Sequence, residues 1–379
     1  MEDRQDEHRM LADSVRDFVR ADATLSRVRA LRETHQSFSR EAWSRLADVG
    51  WLGIRVPEAA GGLDLGVAEL AIVAEGLGRG RLPEPFVEVA GFAAAVIRSG
   101  DNDVLARDLL ADIASGRRLY AVAWQEDSQD ASPARPLCTV QPGGAGPVLT
   151  GRKILVTPAE ADAYIVSAAS ADGIALYRVA ADAPGLDVSA QALVDGSRVA
   201  ELRLHGVPVP DGDRLASPGR GLEALEHGVA EAQVLASAEM LGLSEQLLAL
   251  TNDYLATRRQ FDRPLSAFQV LRHRAVNLYI QVELMRAALR QAVRVLDGDD
   301  DLAVRQQAAS RAKARAGSAA MAVAREAVQL HGAIGYTEEA DVGVHLHRIV
   351  ALSAWLGNAA WHRRRYAALL PRESLEAVS

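Results

Sequence analysis

The sequence has little cysteine and no long apolar run, and both absences exclude classes of protein. Cys138 is the only cysteine among 379 residues, which excludes an internal disulfide framework and a zinc site built from several cysteines. A reducing cytoplasm is the compartment that this usage predicts. No uninterrupted apolar run approaches the roughly 20 residues of a membrane-spanning helix. We therefore predict a protein without a membrane span, and the charged start MEDRQDEHRM is unlike a secretory signal.

Positive charge is outnumbered by negative charge. Lysine and arginine total 42 against 50 acidic residues, giving a formal net charge of −8. Such a chain has no general attraction for nucleic acid or for an anionic membrane. Its 49% of hydrophobic residues is typical of a globular protein, and 379 residues exceed the usual size of one core. We expect two or three domains with a large buried interior.

Motifs for metal ions and for the common nucleotide cradles are missing from the sequence. His345 and His347 are two residues apart, a spacing that points their side chains in different directions on a helix. His331 and His362 add no acid–histidine spacing of the zinc type, so we predict no metal site. Neither a Walker loop nor a Rossmann glycine fingerprint is present, so a nucleotide cofactor needs another cradle.

Three kinds of local pattern follow one another along the chain. Residues 1–117 show helical periodicity, and residues 118–220 break into short β-type runs typical of a small barrel or sandwich. Residues 221–379 contain long apolar helical patterns, which favour an antiparallel bundle. We predict a mainly α fold with a central β-domain, divided into domains at these boundaries. The bundle helices are predicted over 222–258, 267–296, 302–331 and 340–370.

Two stretches of the predicted bundle could carry chemistry. The turn in TRRQFDRPLSAFQ, residues 257–269, is either a solvated bundle corner or an anion site, because guanidinium groups pair with phosphate and an aromatic ring packs on planar ligands. In AVQLHGAIGYTEEADV, residues 327–342, Gly332 and Gly335 either break a helix or bring the backbone close to a ligand. Gln329 could hydrogen-bond such a ligand.

These stretches resemble the acyl-CoA dehydrogenase family of flavoproteins, over nearly the whole chain. WLGIRVPEAAGGLDLG resembles the family's N-terminal helical domain, RRQFDRPLSAFQVLRHRAVNLY its arginine–phenylalanine signature, and QLHGAIGYTEE its glycine-rich signature. The resemblance implies an N-terminal helical domain, a β-barrel and a C-terminal four-helix bundle, assembled as a dimer of dimers. It also implies FAD-dependent α,β-dehydrogenation of an acyl-CoA thioester, with an electron-transfer flavoprotein as acceptor.

The resemblance also implies which residues hold FAD. Arg258 would meet the pyrophosphate and Phe261 the adenosine portion of a neighbouring subunit's FAD, with Gln269 nearby. Gln329 and Gly332 would line the same dinucleotide from the partner side. Oligomerisation would then be part of the cofactor site.

The match weakens at the catalytic base. The family's usual glutamate precedes a glycine near the last helix, and that position aligns with Leu356 before Gly357. Some members place the base on the first long bundle helix, where family spacing falls on Ala232. Glu231 is the nearest acid, one residue early, and one residue rotates a helical side chain by about 100°. Either the register is shifted by one and Glu231 is the base, or Glu231 is a solvated or interface carboxylate.

The β-domain departs from the family pattern too. The family's threonine–glutamate–proline–glycine segment appears as WQEDSQDASPARP, which keeps Glu126 and loses the glycines. Its tryptophan–isoleucine–threonine motif appears as Leu155-Val156-Thr157, which leaves Thr157 as a flavin contact.

One subgroup of the family offers an explanation for these losses. Its members are heterotetramers in which one subunit keeps the base and the flavin-ring contacts while the other has lost them, and its C-terminal signature is similar to LGNAAWHRRR. The resemblance implies a base-deficient subunit, a second acyl-CoA dehydrogenase-like subunit, and bulky acyl-CoA substrates such as steroid fragments. The alternatives are a self-sufficient homotetramer, a flavin monooxygenase on the same fold, and a non-catalytic structural partner that binds no flavin.

Overall fold

A computed structural model describes residues 2–22, 25–143, 146–337 and 339–370. Its first region is helical, with a π-helical turn (Val87–Ala93) before α5. The helices of this region are α1 (Glu2–Asp22), α2 (Leu25–Glu33), α3 (Arg40–Asp48), α4 (Val67–Gly80), α5 (Ala94–Arg98) and α6 (Asp103–Ala114). No helix within the described ranges is long and apolar enough to cross a membrane.

The middle region forms one eight-stranded sheet in the order β6-β7-β3-β2-β4-β5-β8, with β1 paired to β4. Most neighbours are antiparallel, whereas β1 and β2 each pair with β4 in parallel. One face packs a core of small and branched residues around Tyr164, Val166 and Leu202. The strands are β1 (Tyr120–Ala123), β2 (Thr139–Gly143), β3 (Gly146–Val156), β4 (Ala163–Ser170), β5 (Gly173–Ala180), β6 (Leu186–Ala192), β7 (Arg198–Pro208) and β8 (Arg214–Ala216).

The last region returns to helices. A two-stranded ribbon joins α7 to α8, and a 3₁₀ turn (Gly332–Tyr336) follows α9. The elements are α7 (Gly221–Thr257), β9 (Arg259–Gln260), β10 (Arg263–Pro264), α8 (Gln269–Gly298), α9 (Leu302–His331), α10 (Asp341–Ala354) and α11 (Ala359–Ala368). The prediction of a mainly α fold with a central β-domain is confirmed.

The prediction of one helix over 340–370 is wrong. The chain leaves α10 at Trp355, and Leu356 and Gly357 take positive φ values of 59° and 98°. Asn358 then starts α11, because its side chain accepts a hydrogen bond from the Trp361 amide at 2.9 Å. Hydrophobic periodicity continues through this break, so only the glycine and the cap signal it.

Two compact units divide the described residues. The first gathers those within Met1–Ala30, Ala71–Leu82 and Gln233–Ser379, and the second those within Leu31–Leu70 and Pro83–Ala232. The sheet belongs to the second unit, and most of the bundle belongs to the first. The three domain boundaries read from the sequence stay a prediction.

Candidate functional site

Three bundle helices bring their ends together in the first unit. The rings of Tyr254, near the end of α7, and His331, the last residue of α9, stack with centroids 4.5 Å apart. Phe268 caps the start of α8, and its ring meets Phe261 edge-on at 6.2 Å and lies 3.9 Å from the Arg263 guanidinium. The predicted cofactor residues of the bundle therefore lie on segments that meet at one end of it.

The ribbon β9–β10 presents an aromatic side chain to solvent. Gln260 pairs with Arg263, so Phe261 and Asp262 form a two-residue turn in which both have positive φ, 51° and 62°. Such a turn fits the twist of a tight hairpin, and it is an uncommon conformation for a bulky residue. Phe261 is nevertheless 85% exposed, so burial within this chain does not offset that conformational cost.

The other predicted cofactor residues at this end are accessible as well. The Arg258 side chain makes no hydrogen bond or ion pair with any described residue, and Gln269 and Gln329 are exposed. Gly332 has a φ of 65°, and a Cβ at this position would meet no heavy atom of the other described residues within 4 Å. We call Arg258, Phe261, Gln269, Gln329 and Gly332 the bundle-end cluster. It offers a guanidinium without a side-chain partner among the described residues, an exposed ring, two exposed amides and an open backbone.

In the second unit, Glu126 ties together the two ends of the polar loop that follows β1. Its carboxylate accepts hydrogen bonds from the amides of Leu137 and Cys138, the latter at 3.0 Å, and from Lys153 Nζ at 2.6 Å. Lys153 is fully buried and also donates to Ser167 Oγ at 3.0 Å. Burial lowers the pKa of Lys153 and raises that of the Cys138 thiol to about 11. Glu126 thus has a structural role in closing this loop.

Thr157 follows the end of β3. It is half-buried, stands next to the buried Val156, and precedes Pro158 through a cis peptide bond. Leu155, two residues before Thr157, is 39% exposed. The role of Thr157 as a flavin contact stays a prediction.

Glu231 lies in the second unit, clamped between two arginines. Its side chain is 1% exposed. Its two oxygens accept hydrogen bonds from Arg55, one from Nε at 3.3 Å and one from Nη2 at 3.2 Å. Arg98 Nη2 donates to the second oxygen at 3.2 Å. The two guanidinium groups together donate three hydrogen bonds to this carboxylate and compensate its negative charge. The sequence gives no signal for this clamp, because its members are far apart in the chain.

Neither alternative position for the base carries an acid. Ala232 is completely buried, and Leu356 is 1% exposed. The Leu356 carbonyl accepts hydrogen bonds from Gln233 Nε2 at 3.3 Å and from His362 Nε2 at 3.0 Å. The turn that holds Leu356 is therefore fixed by buried polar side chains.

Lys313 on α9 completes the fixation of this turn. Its Nζ donates to the Leu352 carbonyl at 2.8 Å and to the Gly357 carbonyl at 3.1 Å, which satisfies acceptors at the end of α10. Burial lowers the pKa of Lys313 to about 7. Burial, and then the charge of Lys313, lower the pKa of His362 to about 3.

Lysine usage is the sequence signal that could have pointed to these two buried networks. Of the 42 basic residues, two are lysines, Lys153 and Lys313, and both are buried. An ammonium group is a compact donor that reaches backbone carbonyls in a space too small for a planar guanidinium. A chain that uses arginine elsewhere thus keeps lysine where the shape of the donor matters.

The low pKa of Lys313 predicts a rise of stability with pH. Lys313 holds its proton to about pH 10.5 in the unfolded chain and only to about pH 7 in the folded chain. Between these values the unfolded state binds more protons, so the free energy of unfolding rises by at most about 1.4 kcal/mol per pH unit. We expect wild type to gain stability from pH 7 to pH 9 relative to Lys313→Met in urea denaturation.

The comparison of Lys313→Met with wild type isolates this group, since the two chains share every other titratable residue. His362 titrates near pH 3 in the folded chain, well below the window, so its contribution is the same at both pH values. If the stabilities of the two chains changed in parallel between pH 7 and pH 9, the lowered pKa of Lys313 would be contradicted.

The described residues contain no group of three or more His, Cys, Asp or Glu side chains that could hold a metal ion. The described residues thus show an exposed guanidinium and aromatic ring at the bundle end, a carboxylate held by two arginines, and an apolar turn.

Comparison with known proteins identifies the family. Residues 5–117 match the model of the acyl-CoA dehydrogenase N-terminal domain, and residues 219–370 match that of its C-terminal domain. The chain is 32% identical over 365 residues to the acyl-CoA dehydrogenase FadE27 of Mycobacterium tuberculosis, with 94% of both chains covered.

Two solved structures resemble the chain closely. The Tcur3481-Tcur3483 steroid ACAD, solved as a variant, shares 32% identity over 99% of both chains with a TM-score of 0.87. The ChsE4-ChsE5 complex from Mycobacterium tuberculosis shares 29% identity over 95% of this chain and 96% of that chain, with the same TM-score of 0.87. The chain belongs to the acyl-CoA dehydrogenase family of flavoprotein oxidoreductases.

Proposed function

We propose that this chain is the base-deficient subunit of a heteromeric acyl-CoA dehydrogenase. A second, related subunit supplies the carboxylate that removes the α-proton of an acyl-CoA thioester. The observation that carries the proposal is the state of Glu231, the acid next to Ala232 in the sequence, which is buried in ion pairs with Arg55 and Arg98. A general base must reach the substrate, whereas this carboxylate is 1% exposed and both of its oxygens accept hydrogen bonds from guanidinium groups.

The apolar turn supports the same proposal. Leu356 cannot accept a proton, and its backbone is held by Gln233 and His362. The α-proton of a thioester is only weakly acidic, so the reaction needs a positioned base. In our proposal the partner subunit provides that base, and this chain keeps a rigid apolar turn in its place.

The bundle-end cluster fits FAD. Arg258 would pair with a phosphate, Phe261 would pack against the adenosine portion, and Gln269 and Gln329 would donate to polar atoms beside the open backbone at Gly332. Bound FAD supplies the acceptor for the hydride that leaves the β-carbon. The free Arg258 side chain and the exposed Phe261 ring suit contact with a cofactor that lies partly on another subunit.

The similar proteins support a heteromer acting on bulky acyl groups. ChsE4-ChsE5 is a complex of two named components, and Tcur3481-Tcur3483 is named as a steroid ACAD. We propose a polycyclic acyl-CoA as substrate, a dimer of dimers as the assembly, and an electron-transfer flavoprotein as the acceptor of the electrons.

Co-expression with each acyl-CoA dehydrogenase-like subunit encoded nearby tests this proposal. We expect one partner to give a yellow complex whose native mass contains two copies of each chain and which oxidises an acyl-CoA. The chain purified alone should show no such activity. A yellow homotetramer that oxidises acyl-CoA without a partner would refute the proposal and favour the self-sufficient alternative.

Phe261 gives a sharper test of cofactor sharing. In Phe261→Ala we expect FAD to bind the complex about tenfold more weakly or worse, because stacking of an aromatic side chain on a base contributes about 1–3 kcal/mol. The free energy of unfolding of the chain should change by less than about 0.5 kcal/mol, since the ring is 85% exposed. The ratio of flavin absorbance to protein absorbance measures how much FAD the complex retains when it is diluted.

Val104 is the matched control for Phe261, because it is apolar and 64% exposed on α6. Val104→Ala should leave both flavin occupancy and stability unchanged. Full flavin retention in Phe261→Ala would remove this ring from the cofactor site.

A further inference from the structure

A pocket of about 310 Å³ lies between α9 and α11 in the first unit. Its lining is rich in cations and contains no acid, and it consists of Arg311, Ala314, Arg315, Ser318, Arg363 and Tyr366. Gln329 lies eleven residues beyond Ser318 on α9, or about 16 Å along the helix axis. The pocket is thus separate from the bundle-end cluster.

The three guanidinium groups of this pocket have no carboxylate partner among the described residues. Arg315 Nη2 donates to Gln281 Oε1 at 2.7 Å, and Arg363 Nη2 donates to Ser318 Oγ at 2.6 Å. Arg311 makes no hydrogen bond or ion pair with any residue the structure describes. Elsewhere in the bundle, half-buried arginines such as Arg274 and Arg286 are paired with glutamates. Concentrated positive charge without a carboxylate partner in the described ranges therefore distinguishes this pocket.

Two donors of the pocket arginines are buried without an acceptor from the residues that the structure describes. The Nε atoms of Arg311 and Arg315 are shielded from solvent and have no hydrogen-bond partner in the structure. A shielded donor on a charged group costs free energy unless an acceptor reaches it. Both residues line the pocket, so an acceptor could arrive with a ligand.

We infer that this pocket binds the phosphate group of an anionic ligand. Guanidinium groups bind phosphate oxygens through pairs of parallel hydrogen bonds, and the hydroxyls of Ser318 and Tyr366 add donors around the same space. A volume of about 310 Å³ accommodates a phosphate or a pyrophosphate with water. The site does not depend on the base-deficient role proposed above.

Titration with inorganic phosphate and pyrophosphate tests the inference, with chloride at equal ionic strength as reference. We expect both the chain alone and its complex to bind phosphate, measured by calorimetry and by the shift in Tm. In Arg311→Ala we expect binding about tenfold weaker, the loss typical of one charge-assisted contact. The phosphate affinity of Arg311→Lys should lie between those of wild type and Arg311→Ala, since lysine keeps the charge and lacks the planar pair of donors. Arg364→Ala, an exposed change on α11 outside the pocket, should bind as wild type does.

Two further binding comparisons identify which kind of ligand carries the phosphate. Stronger binding of CoA than of dephospho-CoA assigns the pocket to the 3′-phosphate, whereas equal competition by pyrophosphate and ADP assigns it to a diphosphate. Equal phosphate affinity in wild type and Arg311→Ala would overturn the inference. Binding that is present in the chain alone and lost in the complex would overturn it too, in favour of an acidic segment of the partner.

Discussion

A Glu231→Gln chain should lose about 3–5 kcal/mol of folding stability, because the change removes the buried negative charge that two half-buried guanidinium groups contact. Arg55 is 18% exposed and Arg98 25%, so water replaces the lost carboxylate only in part. Glutamine has the same shape as glutamate, so the loss reports charge rather than packing. Urea denaturation of the purified chain measures it.

The same variant separates the two interpretations of Glu231. If the carboxylate were the base, the activity of the folded complex would fall by about 10²–10⁴-fold in addition to the loss of stability, as for other general bases. On our proposal the stability falls, and whatever complex still forms keeps the partner's chemistry. Glu223 is the matched control on the same helix, since it is 43% exposed and paired with Arg220 at 2.6 Å. Glu223→Gln should change stability by less than about 1 kcal/mol.

Gly242→Ala is the second change for which we expect a large effect. Gly242 on α7 faces α4, and a Cβ there would overlap the backbone oxygen of Glu75 and approach the amide of Arg79. Gly78 on α4 meets the backbone at Glu239 in the same way. Backbone atoms of a packed helix cannot rotate aside as a side chain does, so the helices must separate. We expect a loss of about 3 kcal/mol or more, at or above the upper end for overpacking.

A second glycine provides the control for Gly242→Ala. Gly343 lies inside α10, and in the part of the chain that the structure describes no neighbouring heavy atom is within 4 Å of the place its Cβ would take. Gly343→Ala should raise stability by about 0.5–1 kcal/mol, because alanine restricts the unfolded chain and favours helix. Thermal unfolding of both variants under one set of conditions compares them. Similar Tm values for the two variants would contradict the close packing of α4 and α7.

Local pattern accounts for much of the fold, and long-range contacts account for what it leaves out. Helical periodicity and short β-runs predict the order of helices, sheet and bundle, because each pattern reports the burial of one face. Periodicity does not predict the break at Leu356-Gly357, since apolar residues continue across it. Its cause is a local cap at Asn358 together with hydrogen bonds from Lys313 and His362.

In the candidate site, too, residues within contiguous motifs can be predicted from the sequence, whereas contacts between distant residues cannot. Arg258, Phe261 and Gln329 stand in contiguous signatures, so the sequence could nominate them without knowledge of the fold. The clamp on Glu231 joins residues 133 and 176 positions apart, and no spacing rule connects Arg55 or Arg98 to it. Whether a carboxylate is free or engaged depends on such distant partners. For that reason the sequence left the role of Glu231 open.

The burial of Lys153 and Lys313 has a practical and chemical consequence for the proposed complex. Reagents that acylate primary amines, including reactive thioesters themselves, need an exposed neutral amine, and both lysine side chains of this chain are enclosed. The folded subunit should therefore resist lysine acylation by the kind of substrate its family handles. Amine-directed cross-linking of the complex would map it only through the partner's lysines and the chains' α-amino groups, so carboxylate- or arginine-directed reagents are the suitable choice.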